Sequence, residues 1–252
     1  MHKAPVPHLT LSGWLERLES QHPTEIDLGL DRVLVVAEAL GVLRSAPKTV
    51  TVAGTNGKGS VVALLTAGLK AMGLVVGTYA SPHLLRFNER ISIDEEEAED
   101  AAIVSAFEHI EAARGDVSLT YFESATLAAL WLFRERNVDV QVLEVGLGGR
   151  LDAVNILDAD VSVITSIGLD HTDWLGPDRA AISREKAGVA RRNRPCVVAE
   201  SDPPDALLAV LNDRGAETLL IGRDWLIDDA GLQTAGGRNA PFPAASGLLP
   251  SN

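Results

Sequence analysis

Thr51-Val52-Ala53-Gly54-Thr55-Asn56-Gly57-Lys58-Gly59-Ser60 joins two opposite patterns. Upstream, Pro47-Lys48-Thr49-Val50 leads into a short β-branched run; downstream, Val61-Val62-Ala63-Leu64-Leu65-Thr66-Ala67-Gly68-Leu69-Lys70 is helical in period. The glycines and Lys58 therefore fall in a turn between a buried strand and a helix start. Glycine lets the backbone curl until several N–H groups converge, and the helix start adds unpaired donors and a positive dipole end. That is a physical basis for binding phosphate, with Lys58 reaching the terminal groups and the Ser60 hydroxyl free for a phosphate or a magnesium ion. The spacing departs from the usual phosphate loop: Val52 stands at the first glycine position, and Gly59 follows the lysine where a hydroxyl is expected. A plain glycine-rich turn is the other reading; the Gly-Lys pair between strand and helix favours phosphate.

As a block, these residues resemble the ATP loop of the Mur ligase superfamily. With Gly59 after the lysine they are most similar to its folate branch, folylpolyglutamate synthase and the bifunctional dihydrofolate synthase. The resemblance makes Gly54, Thr55, Asn56, Gly57, Lys58, Gly59 and Ser60 contacts to ATP.

The 252 residues suffice for one large domain or two small ones, and at 46% hydrophobic residues they can bury a sizeable core. Alternating strand-like and helix-like segments give an α/β class, a mostly parallel sheet flanked by helices. A net charge of −13 leaves no broad basic face and argues against nucleic acid. The single Cys196 excludes an internal disulfide and sits in the buried-strand pattern Pro195-Cys196-Val197-Val198, as a core thiol in a reducing compartment. Met1–Pro7 lacks a signal peptide's apolar run, and no apolar stretch is long enough to span a bilayer, so the expectation is a cytoplasmic protein without a membrane partner.

Along the chain, Leu11, Trp14, Leu15 and Leu18 follow helical spacing, and His22-Pro23-Thr24 ends that helix. A second helix is expected from near Leu28 to Gly41, with Leu30, Val33, Leu34, Ala37 and Leu40 on one face. Asp27 reads as its cap; the resemblance puts this segment near a pterin. Leu74–Tyr79 is the next strand, expected to form a parallel βαβ unit with the Thr49–Val52 strand. Ser81 follows that strand end, where ligands bind in open sheets, and the resemblance makes it a magnesium ligand; His83 stays undecided. The acidic run from Asp94 to Asp100 reads as a solvated helix start rather than a metal site. Leu119-Thr120-Tyr121-Phe122-Glu123 opens a helix with Phe122, Ala125, Ala129, Leu130 and Phe133 aligned, and resembles a folate-pocket signature.

Glu144 closes the apolar run Val138–Leu143. A carboxylate there is costly without a partner, and beside a phosphate-loop strand it can hold magnesium. The resemblance places Leu151, Asp152 and Ala153 beside the pteroate. It also makes His171, in Leu169-Asp170-His171-Thr172-Asp173-Trp174, a magnesium ligand and catalytic residue. Lys186 reads as a surface or salt-bridging lysine, yet in several family members its counterpart is carbamylated and able to hold a second metal.

The sequence divides at 222: residues 1–222 as an ATP- and folate-binding domain, residues 223–252 as a β-hairpin and a Gly/Pro-rich interdomain linker. The resemblance implies a second domain absent from the chain, an N-terminal fragment that folds but does not ligate alone, and an ATP contact from Asn252. The activity it implies is ATP-dependent amide ligation. L-glutamate joins dihydropteroate or a folate through an acyl phosphate, with Mg2+, in a monomer, and with Lys58, His171 and Lys186 as catalytic residues. A Mur-type cell-wall ligase and a non-catalytic nucleotide- or pterin-binding module are the alternatives.

Overall fold

The computed structural model describes residues 9–43, 47–228, 231–237 and 239–240. Helices α1 (Leu11–Gln21) and α2 (Asp31–Leu40) precede β1 (Lys48–Ala53), α3 (Lys58–Ala71) and β2 (Val76–Tyr79). A hairpin of β3 (Ile91–Ile93) and β4 (Glu96–Glu97) leads to α4 (Asp100–Arg114) and α5 (Tyr121–Glu135). Then come β5 (Val140–Glu144), β6 (Val161–Ile164), α6 (Thr172–Leu175), α7 (Arg179–Lys186), β7 (Pro195–Val198), α8 (Asp205–Asp213) and β8 (Glu217–Leu220). β9 (Trp225–Asp228), β10 (Gly231–Thr234) and β11 (Asn239–Ala240) form a separate antiparallel sheet.

The main sheet has eight strands in the order β4-β3-β2-β5-β1-β6-β7-β8. From β2 to β8 in that order every pairing is parallel, and β3 and β4 add an antiparallel edge. This is the mostly parallel α/β sheet the sequence indicated, with a small β-rich extension after it. β1 and β2 run parallel but are not neighbours, because β5 lies between them. Central parallel strands must be apolar on both faces. Val52 and Val142 pack with Val62 beneath α3, whereas Ala53 and Leu143 belong to the opposite cluster under α1, α2, α4 and α5.

Helix α5 fills the centre of that larger cluster. Every residue from Glu123 to Phe133 is buried, far more than the single aligned face its sequence pattern suggested. It lies so close to β2 that a methyl group on Gly77 would sit 2.5 Å from Phe133 Cδ1. Gly77→Ala is expected to cost about 2 kcal/mol of stability through overpacking, read as a lower urea midpoint at unchanged slope. An unchanged midpoint would show that α5 can retreat freely.

Four local expectations change. Helix α2 starts at Asp31 and buries Val36 rather than Leu34, and its N-cap is Leu30, so Asp27 is not a cap. The acidic run is not a helix start before Asp100. Asp94 and Glu95 adopt φ of 52° and 68° and turn the β3–β4 hairpin, where Asp94 Oδ1 accepts the Val76 N–H at 2.9 Å. Part of the expected linker is ordered as β11, paired with β10. Lys186, read as a surface or salt-bridging lysine, is 4% exposed and bonded to a loop carbonyl. Cys196 is a core thiol, pushed up to about 11 by burial. Among the described residues no helix is long and apolar enough to cross a membrane.

Candidate functional site

The chain leaves β1 toward β2 and leaves β5 toward β6, in opposite directions across the sheet. Adjacent strands whose connections diverge open a crevice at their carboxyl ends, the usual ligand position in an open α/β sheet. The turn Gly54–Gly57 follows β1 and the loop from Val145 to Asp152 follows β5, so both flank this crevice. Above it opens a cleft of about 890 Å³.

The phosphate-loop turn is braced from the next strand. Ser166 O accepts the Thr55 N–H at 2.9 Å, Ser166 Oγ accepts the Asn56 N–H at 3.0 Å, and Thr165 Oγ1 donates to Asn56 O at 2.7 Å. Gly54 is required here, since at φ 152° a Cβ would lie 1.8 Å from Thr165 Oγ1. With the Thr55 and Asn56 amides spent, the donors left for an anion are the amide of the cap residue Gly57 and the first amides of α3, from Lys58 to Ser60. Gly57, at φ 80°, caps that helix without a side chain in the way.

Two lysines converge on one carbonyl. Gly54 O accepts Lys58 Nζ at 3.1 Å and Lys186 Nζ at 2.9 Å. Burial, and then the positive charge of Lys58, lower the Lys186 amine to about 8.

Glu144 ends β5 only 5% exposed, and burial raises its carboxyl while Lys58 and the Ser81 backbone N–H pull it down. Gly59 sits over it, its absent Cβ 3.9 Å from Glu144 Oε2, so the missing loop hydroxyl leaves room above a buried carboxylate. Ser81 and His171 line the cleft with Lys58. His171 heads α6 at φ 48° and stands 3.6 Å from Asp170. Among the described residues no three His, Cys, Asp or Glu side chains gather around one point as a metal cage. Glu144 and Ser81 adjoin, and His171 shares the wall with Ser81.

The rest of the cleft mixes aromatic, apolar and polar groups, with Asp27, Leu28, Thr120, Tyr121, Phe122, Glu123, Leu151, Asp152 and Ala153 in its lining. Several of these polar groups are already committed. Asp152 accepts the N–H groups of Gly146 at 3.0 Å, Leu147 at 2.9 Å and Val154 at 3.0 Å, while burial pushes its carboxyl up to about 6. Thr120 and Glu123 form a capping box on α5, and Arg32 bonds the other Glu123 oxygen at 3.1 Å. Arg32 also pairs with Asp27 at 2.7 Å, and His22 Nε2 reaches Asp27 at 3.2 Å. This clasp was not read from the sequence, nor was Arg90, which lines the cleft against His83. Asn252 lies outside the described residues.

The Mur ligase middle domain matches residues 52–230. The chain is 54% identical over 215 residues to the dihydrofolate synthase/folylpolyglutamate synthase of Escherichia coli, covering 85% of this chain and 51% of that protein. It is 48% identical to its namesake in Haemophilus influenzae, over 86% of this chain and 50% of the relative. The chain thus spans about half the length of these curated relatives. Among solved structures, Escherichia coli FolC in complex with DHPP and ADP superposes with a TM-score of 0.90 at 50% identity, over 95% of this chain and 59% of that one. A Yersinia pestis bifunctional folylpolyglutamate synthase/dihydrofolate synthase with Mn, AMPPNP and L-glutamate gives 0.88 at 50% identity, over 95% and 59%.

Proposed function

The chain belongs to the Mur ligase family, whose middle domain matches residues 52–230, and from that premise we propose that it binds the nucleotide and the acid substrate of an ATP-dependent amide ligase. The reaction joins L-glutamate to the carboxylate of dihydropteroate, of a folate, or of both. The observation that carries this reading is convergence: Lys58 of the phosphate turn stands beside the buried Glu144 and lines one cleft with Tyr121 and Phe122. The relatives support it, since their structures are described with DHPP and ADP, and with AMPPNP and L-glutamate.

A carboxylate must approach an equally anionic γ-phosphate, so the site's task is charge control. The α3 amides take phosphate oxygens. Lys58 exchanges its bond to Gly54 O for one to the transferring phosphoryl group. The carboxylate oxygen attacks γ-phosphorus, ADP leaves, the glutamate amine attacks the acyl carbon, and phosphate departs; no side-chain nucleophile is needed. Tyr121 and Phe122 hold the pteroyl rings, and Asp152, by fixing the Gly146 and Leu147 amides, shapes the opposite wall.

Ser81, Glu144 and His171 would hold Mg2+, and the room above the buried Glu144 carboxylate fits one hard cation. When bound, the cation neutralises phosphate charge and orients the γ-phosphoryl group. A carbamylated Lys186 would hold a second. In this reading residues 1–222 are the ATP- and folate-binding unit, residues 223–252 the hairpin and linker, and the protein is a cytoplasmic monomer.

Calorimetry on the purified chain is the test. A non-hydrolysable ATP analogue is expected to bind, to need Mg2+, to weaken about tenfold in Glu144→Ala through loss of a metal-held contact, and to leave dihydropteroate able to bind alongside. Failure of both dihydropteroate and tetrahydrofolate to bind would overturn the substrate assignment, and Mg2+-independent nucleotide binding the metal one.

A further inference from the structure

Arg90 is a cation in the cleft wall that the reaction above leaves unused. It ends the 3₁₀ turn Phe87–Arg90, and its carbonyl accepts the Ala80 N–H at 3.0 Å, which ties its backbone to the end of β2. Its Nε–H donates to His83 Nδ1 at 2.7 Å. The guanidinium stands 5.6 Å from the Tyr121 ring centroid and 5.9 Å from that of Phe87. Several nearby carboxylates have other partners. Arg32 takes Asp27 and Glu123, Arg86 takes Glu97, and Glu89 accepts the N–H groups of Leu84, Leu85 and Arg86. Among the described residues no acid forms an ion pair with Arg90.

A half-buried guanidinium without an anion is costly to keep. It has five N–H donors, and His83 takes one of them. Aromatic faces and an acceptor on Nε fix its plane, which is the preparation that two-oxygen recognition of a carboxylate requires. The phosphates have their own donors at α3, so the anion that suits this wall is one carried by the aromatic acid.

Resting on the pteroyl reading above, we infer that Arg90 is a carboxylate subsite for the acid substrate, and that His83 is a positioning residue that holds the guanidinium by accepting its Nε–H. Two carboxylates share this chemistry: the benzoyl carboxylate of the pteroyl acid, and the α-carboxylate of a glutamyl tail.

Three ligands separate them in calorimetric titrations of the purified chain: dihydropteroate, its uncharged carboxamide, and tetrahydrofolate. Arg90→Met is expected to weaken dihydropteroate roughly 10- to 100-fold, the usual weight of a charge-assisted pair, and to leave the carboxamide unchanged. If the glutamyl tail is the partner, tetrahydrofolate alone weakens by that factor. Arg90→Lys, which keeps the charge and loses the fork, falls between, and it carries the test if thermal unfolding shows the methionine variant misfolded. His83→Leu should weaken the same acids by several-fold, with His83→Asn, which keeps an acceptor, restoring them. Equal weakening of acid and carboxamide, or no weakening of either acid, would overturn the subsite. A wild-type chain that binds none of the three ligands would refute the pteroyl reading itself.

Discussion

Lys58→Ala is expected to cut nucleotide-dependent turnover by about 100-fold or more, in line with the loss of one donor from a desolvated site where charge moves. The physical case lies in where Lys58 rests. Its ammonium group is 3.1 Å from Gly54 O and 3.4 Å from Thr55 O, two carbonyls of the turn that a phosphate would occupy. Those bonds are weak enough to exchange for a phosphoryl oxygen and strong enough to keep the side chain aimed. No neighbour stands ready to replace it, because the other lysine on Gly54 O, Lys186, is buried beneath the cleft. The fold should survive the change. Removing Lys58 relieves like-charge repulsion on Lys186 but takes a favourable charge from the buried Glu144, and the two effects oppose each other, so thermal unfolding should move little. Turnover is to be measured as ADP release, and nucleotide affinity by calorimetry. Near-normal turnover in a folded variant would remove Lys58 from the phosphate role.

The parts of this site that could be read from sequence are those written in consecutive residues. Glycine and lysine between a β-branched run and a helical run can only be a strand-to-helix turn, and Glu144 after an apolar strand marks a carboxyl end whatever the neighbouring strands are. What could not be read depends on strands meeting across long separations. Thr165 and Ser166 brace Asn56, but nothing in either segment announces the other. Helix α5 looked one-sided because its aromatic and leucine positions align. It is buried all round since its alanines, Ser124 and Thr126 are small enough for β2 and α4 to close on the remaining faces. Asp27 looked like a cap because it precedes a helix; Arg32, a turn further on, instead draws it into a clasp with Glu123. Lys186 looked exposed because its neighbours Arg184 and Glu185 are charged, and only the loop after β1 decides that its amine turns inward.

Lys186→Met is expected to make the fold more stable at pH 7 while reducing catalysis, and the two effects have one cause. In the unfolded chain the amine keeps its proton up to its ordinary value of 10.5, whereas in the folded protein it releases it at about 8. Between those values the unfolded state binds more protons, so wild-type stability rises with pH from about 8 to about 10.5. Below pH 8 the folded protein carries the full cost of a buried cation, about 3 kcal/mol on that shift. The bond to Gly54 O, 2.9 Å long, returns about 1 kcal/mol of it. Methionine has a similar length and no charge, so the variant should be about 2 kcal/mol more stable at pH 7, a lead that vanishes by pH 10.5. Urea unfolding of both proteins across that range reads the crossover directly. Parallel stability curves would show that Lys186 is not the group that titrates. A crossing curve joined to a loss of turnover would mean that this amine is kept, at a cost to the fold, for what a lysine that gives up its proton this readily beside the phosphate turn can do: take up carbon dioxide as a carbamate, or hold Gly54 where Lys58 can leave it.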